Sequence, residues 1–340
     1  MLALLIGALA LTACQTGPDV DSQEGVLHVI ARQAGTREAL GAAGSASVEL
    51  WFDREGGRYR EVYRVDGQLA GEVLVTGNRR FEINVDGKAT GRVGVDADDP
   101  ILRKTPLLLI PGDLYQAGQG RLLGTERVQG KEALRVEIYL PLYSPPQRLT
   151  ALLDAETLLA LEEVYTREGE TFATVVREYD VYETLPLSQV DAKLFEPVSR
   201  DQIQYTRREM NLEQAAAFEG FAIYFVGAEF NGLTIDSISR HESFAEYSAI
   251  NGVWVTYWPA GKQHTGGDEA QVFVVTERAT EADKVKWQSI NREFPKVEVL
   301  RGNAEDGYRM EFFVGDVLVE LAGRTEEEIQ RMRESLTRLN

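Results

Sequence analysis

The stretch that decides the fold is SVELWFDREGGRYREVYRVDGQLAGEVLVTGNRRFEINVDG, residues 47–87. In 47–53 the side chains alternate, with Val48, Leu50 and Phe52 on one side and Ser47, Glu49 and Trp51 on the other. That period of two is the signature of a strand with two unlike faces. Gly56-Gly57 turns the chain, 58–65 alternates again, and Asp66-Gly67 is a strong two-residue hairpin signal before the run 69–76. Gly77-Asn78 and Asp86-Gly87 bracket a further strand through Phe81, Ile83 and Val85. The stretch reads as an antiparallel meander. Trp51, Tyr59 and Tyr63 share odd-numbered parity and are expected on the face opposite Val48, Leu50 and Phe52. Both faces then carry large apolar groups, and such a sheet needs cover on both sides or a ligand on one.

Working outward, 22–35 reads as a helix, because Val26, Leu27, Ile30 and Ala34 recur at helical spacing. Beyond the meander, Asp98-Asp99-Pro100 has the look of a helix start, with acids at the positive end and proline in the first turn. Leu107-Leu108-Leu109-Ile110 is wholly apolar between Pro106 and Pro111-Gly112. It suits either a core segment or a lid over a ligand cavity. Strands resume at 122–128, 134–140, 149–154, 158–166 and 171–182, with a rigid loop at 141–146. The polar stretch 201–212 reads as a linker. After it come strands at 222–226, 233–239, 252–258 and 271–276, a helix at 281–292, and a hairpin turning at Gly315-Asp316. The last helix is signalled by Thr325 with Glu328 three residues on, and carries the stripe Ile329, Met332, Leu336 and Leu339.

At the other end, Leu11-Thr12-Ala13-Cys14 follows the apolar run 2–10 and reads as a lipobox, although no Lys or Arg precedes the run. Cys14 is the single cysteine of the chain, so one chain cannot form a disulfide within itself. The apolar run is shorter than the ~20 residues a spanning helix needs. The expectation is a signal peptide over 1–14, lipidation of Cys14, and a polar tether over 15–23 holding the fold to a membrane on the extracytoplasmic side of the cell envelope.

With 340 residues, 44% hydrophobic and 26% charged, the chain is long enough for two domains with real cores. A net charge of −18 argues against nucleic acid as a partner and against adsorption to anionic bilayers. Asp96, Asp98 and Asp99 could suggest a cation site, but the helix start explains them without metal. His28, His241 and His264 show no ligand spacing, and no nucleophile elbow, phosphate loop or dinucleotide fingerprint is present. The sequence predicts no enzyme, no catalytic residue, no metal and no cofactor.

The block 124–197 carries a resemblance. A strand, the Gly130-Lys131 turn and a second strand lead to a proline-rich loop. Leu152-Leu153-Asp154-Ala155-Glu156-Thr157 then precedes two long strands and a close at Leu194-Phe195 and Pro197. This order resembles the LolA/LolB-like lipoprotein carriers and their relatives, the periplasmic sensor RseB and the mycobacterial lipid-binding lipoproteins. The resemblance covers roughly 22–200 and implies an α+β fold. In it, a large antiparallel half-barrel sheet under covering helices holds a lipid, acyl chain or lipoprotein on its concave face. Trp51, Tyr59, Tyr63 and Leu107 to Ile110 are the expected lining. Residues 213–340 more weakly resemble a small α+β domain of extracytoplasmic regulatory proteins, through 315–323, Thr325, Glu327-Glu328-Ile329 and Ser335-Leu336. The expected plan is therefore a lipid-binding domain over 24–200, a linker, and a smaller α+β domain over 213–340. The expected function is binding of an acyl ligand. The alternative is an RseB-type stress sensor or interaction module with an envelope protein partner and no transport role.

Overall fold

The computed structural model describes residues 25–35, 46–99, 102, 105–128, 130–140, 147–167, 169–244, 251–259, 272–279, 284–285, 298–303 and 307–340. The expected signal, Cys14 and tether lie outside these residues, as do Pro100, the 141–146 loop, His264 and most of the 281–292 helix.

Strands β1 (Val26–Gly35), β2 (Ala46–Asp53), β3 (Arg58–Val65), β4 (Gln68–Thr76), β5 (Arg79–Ile83) and β6 (Ala89–Val93) come first. Helix α1 (Ile110–Gln116) precedes β7 (Gly120–Val128), β8 (Lys131–Leu140), β9 (Gln147–Asp154), β10 (Ala160–Arg167) and β11 (Glu170–Leu185). Short 3₁₀ turns lead to β12 (Ile203–Met210) and α2 (Leu212–Ala216). Then come β13 (Tyr224–Phe225), β14 (Glu229–Phe230), β15 (Leu233–Ser243), β16 (Asn251–Pro259) and β17 (Val272–Arg278). The chain closes with β18 (Glu298–Asn303), β19 (Gly307–Val314), β20 (Val317–Gly323), α3 (Glu326–Ser335) and β21 (Thr337–Arg338).

Strand neighbours run β7-β8-β9-β10-β11-β1-β2-β3-β4-β5-β6, all antiparallel. Strand β12 then lies parallel to β6, and β15-β16-β17-β20-β19-β18 continue antiparallel from it. The result is one large mixed sheet, not closed into a barrel, with few helices. The expected α+β half-barrel under covering helices is met in part: the large sheet is there, but it is mixed rather than antiparallel throughout, and few helices cover it among the described residues. Among the described residues α1 is the only α-helix packed on the first half of the sheet, against β7, β8 and β9.

Two further expectations change. Residues 26–35 are strand β1, not helix. It lies between β2 and β11, and burial on both faces erases the alternation that marks a strand. Residues 203–210, read as part of a linker, form β12 and join the two halves through backbone hydrogen bonds.

In register, Tyr59 lies opposite Val75, Val75 opposite Arg80, Arg80 opposite Arg92, Arg92 opposite Arg207, and Arg207 opposite His241. These side chains share one face. The core residues of the second half, such as Met210, Ile238 and Val253, have the opposite parity. The two halves therefore pack their main cores on opposite faces of one sheet, exchanging sides at the β6–β12 seam. Over the second half lies α3, with Ile329 and Met332 fully buried and Leu336 and Leu339 packed beside them. Its Thr325 hydroxyl accepts from the Glu328 amide at 3.1 Å. The Glu328 carboxylate reaches back to the amide of Arg324 rather than Thr325, one residue short of a closed capping box.

Candidate ligand site on the first half of the sheet

Pairing of β2 with β3 sets Phe52 opposite Tyr59, Leu50 opposite Glu61 and Val48 opposite Tyr63. Tyr59 and Tyr63 thus share the face of Val48, Leu50 and Phe52, because cross-strand register and not numerical parity assigns faces between strands. Trp51 alone of the three aromatics lies on the far side. There its ring stacks on His28 at 3.7 Å, and its Nε1 donates to Glu49 at 3.2 Å. The far side is apolar too, through Leu74, Phe81 and Phe195, with the Arg58 guanidinium 4.7 Å from the Phe195 ring centre.

On the near face, Val29, Ala31, Val48, Leu50, Phe52, Tyr59 and Val75 form a buried cluster with Leu108, Leu109 and Leu159. A second cluster, including Val136, Ile138, Leu149 and Leu153, receives Leu114 and Tyr115 of α1. The apolar run is therefore split by its turn into the helix. Leu108 is 2% exposed and Leu109 is buried, Leu107 is 50% exposed, and Ile110, the first residue of α1, is half-buried. Of the seven expected lining residues, the fold gathers Tyr59, Tyr63, Leu108 and Leu109. Trp51 is on the other face, Leu107 is turned to solvent, and Ile110 sits at the margin.

The sequence reading missed the polar groups of this face. Glu61 lies between Tyr59 and Tyr63 on their side of β3 and is 1% exposed. Its Oε2 accepts from the Tyr63 hydroxyl at 2.9 Å, while Oε1 has no hydrogen-bond partner among the described residues. Burial pushes the Glu61 carboxyl up. The Tyr63 hydroxyl, the backbone amides of Leu108 and Leu107, and the Arg80 charge offset only part of that rise. Burial also pushes the Tyr63 phenol up, helped by the Glu61 charge. Arg80, 7% exposed, donates to the Tyr59 hydroxyl at 2.7 Å. Further along, Arg177 Nη1 meets Glu163 Oε1 at 2.5 Å, and the Tyr165 hydroxyl donates to Glu163 Oε2 at 2.7 Å. Burial works against the Arg177 charge, but Glu163 more than offsets it and raises the guanidinium pKa. One signal could have found these groups: Tyr59-x-Glu61-x-Tyr63 and Glu163-x-Tyr165 put a carboxylate in step with buried aromatics.

The turn 154–159 fixes the position of α1. Asp154 Oδ1 accepts from the amides of Glu156 at 2.9 Å and Thr157 at 3.0 Å, and Lys131 reaches Oδ2 at 3.4 Å. Burial opposes the Asp154 charge, but these bonds prevail and hold its carboxyl below the usual aspartate value. Leu158 takes a left-handed φ of 57°, which presents its carbonyl to Gly112 of α1. A Cβ at Gly112 would stand 2.5 Å from that oxygen, so only glycine permits the approach. Between turn and helix is a cleft of about 20 Å³ bordered by Leu27, Leu109, Gln116 and Tyr182, with room for about one water. The site is closed.

Asp96 Oδ1 accepts from the Asp98 amide and Asp99 Oδ2 from the Val95 amide, each at 2.9 Å, so both shape the turn at 95–99, and the helix expected after it falls mostly outside the described residues. Among the described residues no three His, Cys, Asp or Glu side chains converge on a metal-sized site. No described helix is long and apolar enough to cross a membrane.

No family model matches the chain, and no curated protein matches it. Among solved structures it is similar to an uncharacterized conserved protein from Thermus thermophilus, at 12% identity and a TM-score of 0.35, over 53% of this chain and 90% of that one. It is also similar to the Mycobacterium tuberculosis lipoprotein LppX, at 12% identity and a TM-score of 0.27, over 47% and 88%. LprF from Mycobacterium bovis gives 14% identity and a TM-score of 0.27 over 48% and 88%. At these scores the likeness carries no functional conclusion, which has to come from the chain's own residues.

Proposed function

We propose that the chain is a non-enzymatic, membrane-anchored envelope lipoprotein that takes an acyl chain or lipid between the first half of its sheet and the segment 105–117. The observation that carries this reading is the mixed character of the buried face. Among the described residues the apolar cluster is covered by that segment, and the same sheet face carries a buried carboxyl, that of Glu61, whose Oε1 has no hydrogen-bond partner, and a buried guanidinium, that of Arg177, whose Nε has none. A face serving only as core gains nothing from such groups, since incompletely bonded polar atoms cost stability when buried. An apolar pocket with a few convergent polar groups is the usual make-up of a ligand site. On this reading the narrow cleft is the empty state, and a ligand displaces α1 from the 154–159 turn.

Native mass spectrometry of the chain purified from its own envelope tests the reading. Masses of co-purifying acyl lipids are the expected result. A chain that is empty and also fails to bind a fluorescent fatty acid contradicts it. Anchorage has a separate test. Cys14→Ser removes the thiol that would carry the diacylglyceryl group, so the protein should move to the soluble fraction or remain uncleaved, with metabolic alkyne-lipid label lost. Label retained on the serine variant ends the lipoprotein reading.

The small cleft favours a second reading, an envelope sensor or interaction module that presents a filled sheet to a protein partner. Recovery of a specific envelope protein with an empty chain would support it over the first.

A further inference from the structure

At the seam between the halves, three arginines stand side by side. Arg80 of β5 is opposite Arg92 of β6, and Arg92 is opposite Arg207 of β12, all on one face. Like charges in directly opposed positions repel, so a sheet carries them only with compensation. The compensation inside the chain is incomplete. Glu82 is shared, 3.3 Å from Arg80 and 3.7 Å from Arg92, and Glu209 is held by Arg207 at 2.6 Å. Burial disfavours the Glu209 charge, and the charges of Asp99 and Asp236 disfavour it further, against the pull of Arg207. Arg92 has no ion pair nearer than that 3.7 Å contact among the described residues and is partly open to solvent. The Tyr205 hydroxyl hydrogen-bonds His241 Nδ1, and Tyr205, two residues before Arg207 on β12, shares the face of the row, where the charges of Arg207 and Arg92 act on its phenol. In a chain with 54 acidic and 36 basic residues, such a row is not a product of composition.

We infer that the Arg80–Arg92–Arg207 row, with Tyr205, is a binding site for a phosphate group. Neighbouring strands are ~4.8 Å apart, so three guanidiniums span roughly 10 Å and can bracket a tetrahedral anion with paired donors from more than one side. Lysine could supply the charge but not the fixed fork. The phosphate is either free or carried on a lipid. Arg80 favours the second source geometrically, since it also donates to Tyr59 in the apolar cluster. The site does not depend on the acyl-binding proposal, because inorganic phosphate would occupy it without any chain.

The test is isothermal titration of the full chain in dodecyl maltoside with inorganic phosphate, dihexanoyl phosphatidic acid and, as a phosphate-free control, dihexanoylglycerol. The expected result is binding of at least one phosphate-bearing probe, weakened tenfold or more by Arg92→Ala and by Arg207→Gln. Binding of phosphatidic acid alone assigns the site to a lipid, and binding of inorganic phosphate alone assigns it to the free anion. Arg92→Lys, which keeps the charge and so guards against a folding defect, is expected to weaken binding several-fold. Without phosphate, Arg92→Ala should melt no lower than the parent chain, because it removes a repulsion. The inference is overturned if neither phosphate probe binds, if the control binds equally well, or if the variants bind as the parent does.

Discussion

Glu61 shows most directly what this sheet does with a charged residue. Its carboxyl is buried beside Tyr63 and under the 107–108 turn, and its folded pKa is raised above the ordinary glutamate value of 4.5. The folded chain therefore binds this proton more tightly than the unfolded chain. The associated stability is fully present below pH 4.5 and is lost as pH rises through the folded value. Glu61→Gln keeps the shape without the titration, so it should gain stability relative to the parent between pH 4.5 and 8. Urea unfolding at both ends of that range measures this, and equal slopes would show that Glu61 is solvated after all. Sequence alternation placed Glu61 on a strand correctly. It could not say which face was dry, because that depends on the register between β2 and β3, and the same gap put Tyr59 and Tyr63 on the face opposite Val48, Leu50 and Phe52.

At the scale of elements, the interplay of α1 with the 154–159 turn decides whether the covered face can open. Sequence reading took Pro111-Gly112 as a stop. In fact proline in the first turn of a helix is tolerated because its missing N–H would have had no partner, and the helix begins there. Gly112 is kept for contact and not for flexibility. Alanine at this position should favour the helix by ~1 kcal/mol on propensity alone. The Leu158 carbonyl 2.5 Å from the new Cβ works against that gain. Gly112→Ala should therefore destabilise the fold by about 1–3 kcal/mol net, the usual range for overpacking. It should also speed uptake of a fluorescent acyl probe. A more stable variant in denaturant unfolding would mean that α1 does not dock on the turn. The meander from β2 to β5 was legible from its turn dipeptides, whereas β1 was not, since a strand buried on both faces carries no period of two.

Across the whole molecule, the organising feature is the seam where β12 runs parallel to β6 and the packed face changes sides. The polar run Arg207-Arg208-Glu209 looked like a linker because it lies where neither core claims the strand, and no local pattern announces a parallel pairing 110 or more residues away in sequence. The seam keeps the arginine row beside the covered face of the first half, so a polar group and an apolar chain could be held by one ligand. The central claim is that an acyl chain enters beneath segment 105–117. The measurement that tests it most directly is photo-crosslinking of the full chain with a diazirine-bearing palmitoyl probe, with the adducts mapped by peptide mass spectrometry. The account predicts adducts on Leu50, Tyr59, Leu108 and Leu109 that excess unlabelled lipid abolishes. Adducts confined to exposed side chains such as Leu107, Tyr139 and Leu187, and unaffected by competitor, would contradict it.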